Sequence, residues 1–436
     1  MHISILSVFP ELYKQFLETS LVKRAQDSGL VTIETHSFFS QASPKERIDA
    51  PTFGVGEGLL LKPEIVEKAY NSITESGSKK FYRVFFSPQG KKLNQHLLKD
   101  IYKKSASCDG LFLVASRYEG MDTRVEDVYA DIHLSIGDFV LMGGDLPAMM
   151  LTESIMRLIP GVVGKEGSVE QDSFSGPFVD YPEYTAPVVW QGIKVPDIVR
   201  SGNHKELAKW RKEAAVKKTV QEHFTWLRKH SISDEEKAQC RQYMPAHYIA
   251  LCHSDVRIGP DKLPGTTSVT SMDIHDIARS SKTYGIEGFF IVTPLQDQQK
   301  IVRKFLSFWQ SGEGGEYNRG RQESVALAEA ATSIDEVIAA IEEKEGVAPI
   351  VIGTTAREFE LNLPRIHFDD QSLLWQEKRP ILFLFGTGKG FTDERLRRCD
   401  FLLAPITGLT TFNHLSVRSA IAIILDRWLG MDQKYK

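Results

Sequence analysis

Three short segments of the chain combine glycine, hydroxyl and charged residues in a way that suits a ligand site lined by main chain. Residues 135–148 read Ser-Ile-Gly-Asp-Phe-Val-Leu-Met-Gly-Gly-Asp-Leu-Pro-Ala. This pattern predicts a short apolar strand over residues 138–142 between two glycine turns, with Pro147 in the first turn of a following helix. Gly137, Gly143 and Gly144 remove side chains where backbone approaches backbone or ligand closely. On residue types alone the same stretch also reads as a tight turn before a core helix. Residues 85–93, Phe-Phe-Ser-Pro-Gln-Gly-Lys-Lys-Leu, predict an apolar strand that breaks into a Ser-Pro-Gln-Gly turn. Residues 111–122 run from Leu-Phe-Leu-Val-Ala into Ser-Arg-Tyr-Glu-Gly-Met-Asp. Three strands thus end in polar, glycine-bearing loops, and in an open α/β sheet ligands bind outside the carboxyl ends of the strands.

Acid–base groups follow at once. Leu151, Ile155, Leu158 and Ile159 form a helical stripe, which leaves Glu153 and Arg157 together on a more polar side. Residues 160–177 contain Gly161, Gly164, Gly167 and Gly176 with few apolar residues, the composition of a linker or lid, and Asp172 lies within it. Read without context, Arg157 pairs with Glu153 and Asp172 is a turn residue. Further on, residues 204–218 carry six Lys/Arg (Lys205, Lys209, Arg211, Lys212, Lys217, Lys218) against two Glu, around Trp210. Such a run is either a solvated helix face or a surface on which cations meet phosphates and an aromatic meets an unpaired base.

The elements that position these residues must belong to more than one core. A chain of 436 residues exceeds what a single core supports, so two or three domains are expected. Apolar content of 42% and charged content of 25% are those of a soluble globular protein, and no apolar run approaches a membrane span. Met1 leads directly into a predicted buried strand over residues 3–8, so no leader is expected. Four scattered cysteines (Cys108, Cys240, Cys252, Cys399) fit neither a disulfide framework nor a cysteine-rich zinc site and point to a reducing cytoplasm. A net charge of −4 means that any nucleic-acid surface is local.

The blocks Ser-Pro-Gln-Gly, Arg-Tyr-Glu-Gly-Met-Asp and the whole of residues 135–148, in this order and spacing, closely resemble the bacterial tRNA (guanine-37-N1)-methyltransferases of the knotted SPOUT class. Residues 1–11, the glycine loop at 54–58 and Asp172-Ser173-Phe174 extend the likeness to about the first 240 residues. The resemblance implies an α/β fold with a knotted, S-adenosylmethionine-binding methyltransferase domain (1–160), a flexible linker or lid (161–177) and a helical tRNA-binding domain (178–244). It implies a homodimer whose active site takes loops from both subunits. By matched position Asp172 is the general base and Arg157 assists it, while Pro88, Ser116, Tyr118, Glu119, Gly120, Ile136, Gly137, Asp138, Phe139, Val140, Leu141, Gly143, Gly144 and Pro147 hold the cofactor. The N1 atom of guanine carries a proton at neutral pH, so methylation there requires a base. Some members of the family use magnesium, so Mg2+ joins the implied cofactors, although no dedicated carboxylate cluster is visible. Four positions depart from the family pattern: Val55 and Glu57 interrupt the glycine loop, Ser116 stands where Gly is common, and Phe85 where Tyr is common.

Residues 245–436 form a second α/β region. Apolar segments at 248–252, 288–292, 349–352, 381–385 and 401–404 alternate with helical patterns at 334–341 and 415–429, which predicts a mostly parallel sheet. Phe385-Gly-Thr-Gly-Lys-Gly390 lacks the residues of a Walker loop, and Phe391 replaces the third glycine of a dinucleotide fingerprint. The region instead resembles an RNA-methyltransferase-like SPOUT domain through Ile-Val-Thr-Pro (291–294), Glu-Tyr-Asn (316–318) with Arg321, Leu-Phe-Gly-Thr-Gly (384–388) and Asn-His-Leu-Ser-Val-Arg (413–418). The resemblance implies a second S-adenosylmethionine site at Gly386 to Gly390, Pro405, Ile406 and Leu415. Asn413, His414 and Arg418 either face a substrate or belong to a capped helix with a surface Arg. His253 reads as a core-edge residue, not a metal ligand. Two readings stand for this region: a second RNA methyltransferase, whose target a ribose could supply, or a non-catalytic RNA-binding module.

Overall fold

The computed structural model describes residues 1–54, 56, 58–75, 77–163, 172–357 and 362–435. Val55, Glu57, Gly164 and Gly167, singled out above, lie outside them. The chain forms two compact units, Met1–Ser175 and Gly176–Lys436.

The first unit is built on five parallel strands: β1 (His2–Ser7), β2 (Thr32–Ser37), β3 (Phe81–Lys92), β4 (Gly110–Ala115) and β5 (Ile132–Ser135), in the order β2-β1-β4-β3-β5. Residues Ile3 to Ser7 pair in register with Leu111 to Ala115, so two buried, mostly apolar strands lie side by side. Both faces of a parallel sheet are covered, which is why β4 reads as an unbroken apolar run from Leu111 to Ala115. Along β4, Leu111, Leu113 and Ala115 pack on one face with helices α2 (Gln95–Ala106) and α3 (Asp145–Leu158). Phe112 and Val114 pack on the other face with α1 (Pro63–Ile73).

The second unit has seven parallel strands: β6 (His247–Cys252), β7 (Gly288–Val292), β8 (Ala328–Ala331), β9 (Ile350–Gly353), β10 (Arg365–Ile366), β11 (Ile381–Gly386) and β12 (Phe401–Leu403). Their order is β8-β7-β6-β11-β9-β12-β10. Setting aside β8 and β10, the five inner strands follow the same order as the first sheet: second, first, fourth, third, fifth in chain sequence. No repeat is visible in the residues, because a parallel strand only requires a short apolar run and many sequences supply one. The helix following the fifth strand is α3 in the first unit and Val417–Leu429 in the second.

The helical segment of the second unit contributes to the core of its sheet. Helix α4 (His204–Glu222) buries Val216 and Val220 in the cluster that holds Ile249, Phe383 and Trp428. Phe224, just beyond it, meets Trp375 edge to face with ring centroids 4.9 Å apart. Segment 178–244, expected as a domain of its own, therefore shares an apolar core with the sheet that follows. His247 lies in the same cluster with both ring nitrogens matched: Nδ1 donates to Pro245 O at 2.7 Å and Nε2 accepts from the Trp428 indole at 3.1 Å.

If this core is shared, Phe224→Ala lowers the unfolding free energy of the sheet itself. The expected cost is about 3–5 kcal/mol for loss of a buried phenyl ring. It is read from the urea midpoint of tryptophan fluorescence, and an unchanged midpoint would mean that the helices and the sheet fold independently.

Candidate active site

The carboxyl ends of β3, β4 and β5 carry the three loops. The Ser-Pro-Gln-Gly segment does not end its strand. Phe86 and Lys91 both pair with Leu134, so residues 87–90 are looped out as a bulge within β3. Pro88 has no N–H to contribute to a ladder, and Gly90 lies so close to the backbone of His133 and Leu134 that an added Cβ would come within 2.6 Å. The apolar run 138–142, expected as a strand, is a loop. The pairing of β3 with β5 stops at Lys92 and Ser135, which leaves no neighbour to continue the ladder. Phe139, Val140 and Met142 consequently face outward, Val140 at 81% exposure.

Hydrogen bonds stitch the loops together. Gly144 N donates to Ser116 O at 2.8 Å, and Leu93 N donates to Ser135 O at 2.8 Å. The segment Leu59–Leu61 runs beside the β4 loop: Glu119 N donates to Leu59 O at 3.1 Å and Leu61 N to Gly120 O at 3.1 Å. Tyr118 has φ of 60°, a left-handed conformation uncommon for a residue with a side chain and a frequent mark of functional loops. Gly144 is required by closeness, since a Cβ would stand 2.9 Å from the Ala115 Cα. All the residues expected to bind a cofactor fall on these loops except Pro147, which is buried in the first turn of α3.

Four residues at the site, Asp145, Ser7, Tyr13 and Arg117, were not foreseen. Asp145 begins α3 and is buried at 1% exposure, at the place where β1, the β4 loop and the helix meet. Its carboxylate accepts from Ser7 Oγ at 2.5 Å, Tyr13 Oη at 3.0 Å and Arg117 Nε at 2.7 Å. Burial, followed by the negative charge of Asp145, pushes the Tyr13 phenol well above its ordinary pKa, so Tyr13 is a fixed hydrogen-bond donor. The Arg117 guanidinium also lies over the Phe9 ring, 5.1 Å from its centroid. The available signal was an acid directly after Gly-Gly at a helix start and an Arg beside Ser116, each unremarkable alone.

Arg157 and Asp172 are brought together. Nε donates to one carboxylate oxygen at 2.6 Å and Nη2 to the other at 2.7 Å, a two-pronged pair. The bond to Asp172 raises the Arg157 pKa. The i,i+4 partner Glu153 is not used in these bonds. Ser175 N donates to Asp172 O at 3.0 Å and α2 supplies Lys99, whose ammonium donates to Ser175 O at 3.3 Å. This pair is not beside the three loops. Asp145 and Arg157 occupy opposite ends of α3, and at a rise of 1.5 Å per residue they lie roughly 18 Å apart along the axis.

With this geometry in place the chain can be compared with known proteins. The family model for tRNA (Guanine-1)-methyltransferase TrmD matches residues 1–229, and that for SAM-dependent RNA methyltransferase matches residues 246–430. A protein of Nitratidesulfovibrio vulgaris named tRNA (guanine-N(1)-)-methyltransferase is 35% identical over 439 residues, covering 99% of both chains. One of the same name from Oleidesulfovibrio alaskensis is 36% identical over 436 residues, again covering 99% of each. The chain belongs to the tRNA (guanine-N1)-methyltransferase family. A shorter relative of that name, from Dictyoglomus turgidum, is 38% identical over 237 residues, which are 54% of this chain and 94% of its own. In this family, members of both lengths therefore occur.

The second unit places its glycine loop, residues 386–390, after β11, the counterpart of β4. Asn413 donates to Ala356 O at 2.5 Å, and Arg418 lies 3.7 Å from both Asp273 and Asp276. Pro405, Ile406, His414 and Leu415 lie between β12 and the helix Val417–Leu429. On α4, Lys209, Arg211 and Lys212 are 3.9, 3.9 and 3.8 Å from Glu213, Glu183 and Glu236, while Lys205, Lys217 and Lys218 are exposed. Among the described residues, no group of three His, Cys, Asp or Glu is placed to hold a metal ion, and no helix is long and apolar enough to cross a membrane.

Asp145→Asn removes the charge that Arg117 faces. The unfolding free energy of the first unit should fall by on the order of 3 kcal/mol, the low end of the cost of orphaning one member of a buried pair, because Arg117 keeps some access to water. Urea denaturation measures this. A change within error would show that the network does not hold the loops.

Proposed function

We propose that the chain transfers a methyl group from S-adenosylmethionine to N1 of guanine 37 of tRNA, the base following the anticodon, when G36 precedes it. The observation that carries this reading is the two-pronged pairing of Arg157 with Asp172. Guanine presents O6 as acceptor and N1–H as donor side by side. A guanidinium beside a carboxylate offers the complementary pair: Arg157 donates to O6 and Asp172 accepts from N1. Both carboxylate oxygens are held by Arg157 in the free chain, so the guanine edge must take over part of that contact before Asp172 can act as a base. Arg157 then stabilises the negative charge that spreads to O6 as the proton leaves.

Pro88, Ser116, Tyr118, Glu119, Gly120, the residues 136–141, Gly143, Gly144 and Pro147 would hold the cofactor. Their fit rests on chemistry that the loops already display. Glycines bring main chain to the surface where a side chain would collide, and Ile136 and Leu141 add partly buried apolar surface for an adenine. S-adenosylmethionine, when bound, supplies an electrophilic methyl on a sulfonium.

The functional form in this reading is a homodimer. Within one chain the cofactor loops and the Arg157–Asp172 pair lie at opposite ends of α3, so a complete site draws loops from one subunit and the pair from its partner. Exposed apolar residues support it: Leu146 and Met150, one turn apart on α3, and Phe139, Val140 and Met142 in the loop before it. The same reading takes the first sheet as a knotted SPOUT domain, places the enzyme in the cytoplasm with its tRNA, and assigns tRNA gripping to the basic face of α4 around Trp210. It treats the second unit as a further S-adenosylmethionine-dependent RNA methyltransferase, with Gly386 to Gly390, Pro405, Ile406 and Leu415 at its cofactor site.

Methyl transfer to tRNA transcripts bearing G36-G37 or A37 tests the assignment. Transfer is expected only to G37, with kcat reduced by about 10²- to 10⁴-fold in Asp172→Ala. Undiminished transfer to G37 in that variant would overturn the role of Asp172. The composite site has its own test. Coexpressing Asp172→Ala with a Gly144→Val chain should restore G37 methylation that neither variant has alone, since one of two sites in the mixed dimer is intact. Failure of the mixed dimer to recover activity would confine each site to one chain.

A further inference from the structure

The second unit contains a buried imidazole whose hydrogen-bonding state is fixed on one side and open on the other. His253 follows directly on β6 and has no exposed surface. Thr387, in the glycine loop after β11, donates its hydroxyl proton to Cys252 O at 3.0 Å. The contact of 2.5 Å between the hydroxyls of Thr267 and Thr387 must therefore be donated by Thr267. With its proton so used, Thr267 can only accept from His253 Nδ1, 3.0 Å away. The chain of bonds assigns the proton of His253 to Nδ1 and leaves Nε2 with a bare lone pair, which has no hydrogen-bond partner among the described residues. Burial pushes the imidazole pKa down to about 4, against the opposing charge of Asp273. The contrast with His247, buried with both nitrogens matched, shows that the fold can satisfy a core histidine fully. A buried acceptor left unpaired is costly, and here it lies at the carboxyl end of an inner strand of the sheet, where α/β sheets bind ligands.

We propose that His253 Nε2 is the proton acceptor for a ribose 2′-hydroxyl of RNA at a second methyl-transfer site, a proposal that rests on reading the second unit as a methyltransferase. A group that both gives a proton to Nε2 and attacks a methyl must carry a hydrogen and a free lone pair at once. A hydroxyl has both. The N1 of guanine has a hydrogen but no lone pair until it is deprotonated, and the N1 of adenine has a lone pair but no hydrogen. In the first unit guanine chemistry is assigned to a cation bonded to a carboxylate at the far end of α3. The counterpart helix Val417–Leu429 has an arginine in its last turn too, but the Arg427 guanidinium lies over the Phe368 ring, 5.0 Å from its centroid. In the step itself the ribose oxygen bonds to the methyl carbon as the carbon–sulfur bond breaks. The electron pair of that bond leaves with S-adenosylhomocysteine, and the hydroxyl proton passes to Nε2 and then to solvent. The proton moves as the oxygen becomes positively charged, so a weak base suffices, provided that it is neutral. Arg418, beside Asp273 and Asp276 at the start of its helix, is a cation for the RNA backbone at the same edge. The ring is sealed in the free chain, so the loop carrying Thr387 must shift to admit the hydroxyl.

The test uses the full chain. Nitrogen-15 spectra of histidine-labelled protein, with His253→Asn to identify the resonance, should show a neutral Nδ1–H ring at pH 7; an Nε2–H tautomer or an imidazolium overturns the proposal. The second readout is the nucleoside composition of total RNA, from cells lacking this protein, after incubation with the Asp172→Ala chain and S-adenosylmethionine. A 2′-O-methylated nucleoside is expected, reduced at least about 10²-fold when His253→Asn is added. Asn keeps the donation to Thr267 and deletes only the Nε2 position. Equilibrium dialysis of S-adenosylmethionine, expected at two per chain with and without His253→Asn, and unchanged G37 methylation by the His253→Asn single variant, verify that both units remain folded. A stoichiometry of one in the unsubstituted chain would overturn the second centre itself. Two bound cofactors with a methylated base, with no methylated nucleoside, or with 2′-O-methylation indifferent to His253→Asn would overturn the role of His253 alone.

Discussion

The carboxylate of Asp145 is a charge taken out of water at the junction of three elements, and the geometry of the first unit follows from how that charge is satisfied. A buried carboxylate survives only if its oxygens are matched, and Ser7, Tyr13 and Arg117 match them. In doing so they fix the end of β1 and the loop after β4 against the first turn of α3. The helix dipole favours an anion at that end. Once the start of α3 is pinned, its far end is determined by helix geometry, and with it the position of Arg157. The separation of the glycine-bearing loops from the Arg157–Asp172 pair is thus built into one rigid element. It is the physical argument for a site shared between subunits.

The two sheets solve the same architectural problem with different polar chemistry. Both run second, first, fourth, third, fifth, and both end their fourth strand in a glycine-bearing loop. In the first unit the joint between the first strand and that loop is ionic, Ser7 and Arg117 on Asp145. In the second it is a chain of neutral donors and acceptors running from Cys252 O through Thr387 and Thr267 to His253. A charged joint is rigid and fully paired. A neutral chain of hydroxyls ending in an imidazole leaves one acceptor over, and that remainder is what distinguishes a binding feature from a structural one.

Much of this could be read from the sequence, for definite reasons. Apolar runs located β1, β3 and β4 of the first unit and β6, β7, β9, β11 and β12 of the second, because a strand buried on both faces is mostly apolar, whereas β2, β5, β8 and β10, short or carrying polar residues, were not read. Loop 116–122 was placed at a strand end because its glycine constrains the backbone locally. What failed depended on neighbours. Residues 138–142 have the composition of a strand, yet no partner strand extends far enough to pair with them. Ser-Pro-Gln-Gly looked like a turn because its bulge is defined by Leu134, about forty residues away in sequence. Asp145 was invisible as a hub, since its three partners lie 28 to 138 residues away. Helix α4 showed a basic face in the sequence, whereas the apolar residues joining it to the second sheet are only Val216 and Val220, too few to stand out.

Placing the two sites in one chain does not make them interchangeable. Removing a proton from a ring nitrogen requires that negative charge be stabilised as it forms, which the Arg157 guanidinium can do and a neutral imidazole cannot. A hydroxyl attacking a sulfonium develops positive charge instead, and a guanidinium beside it would oppose the reaction. The Arg157–Asp172 pair is therefore mismatched to a ribose, and the neutral chain ending at His253 is mismatched to guanine N1. The two proposed sites, one in each unit, thus carry polar groups suited to opposite signs of developing charge, a discrimination by electrostatics that precedes any shape recognition.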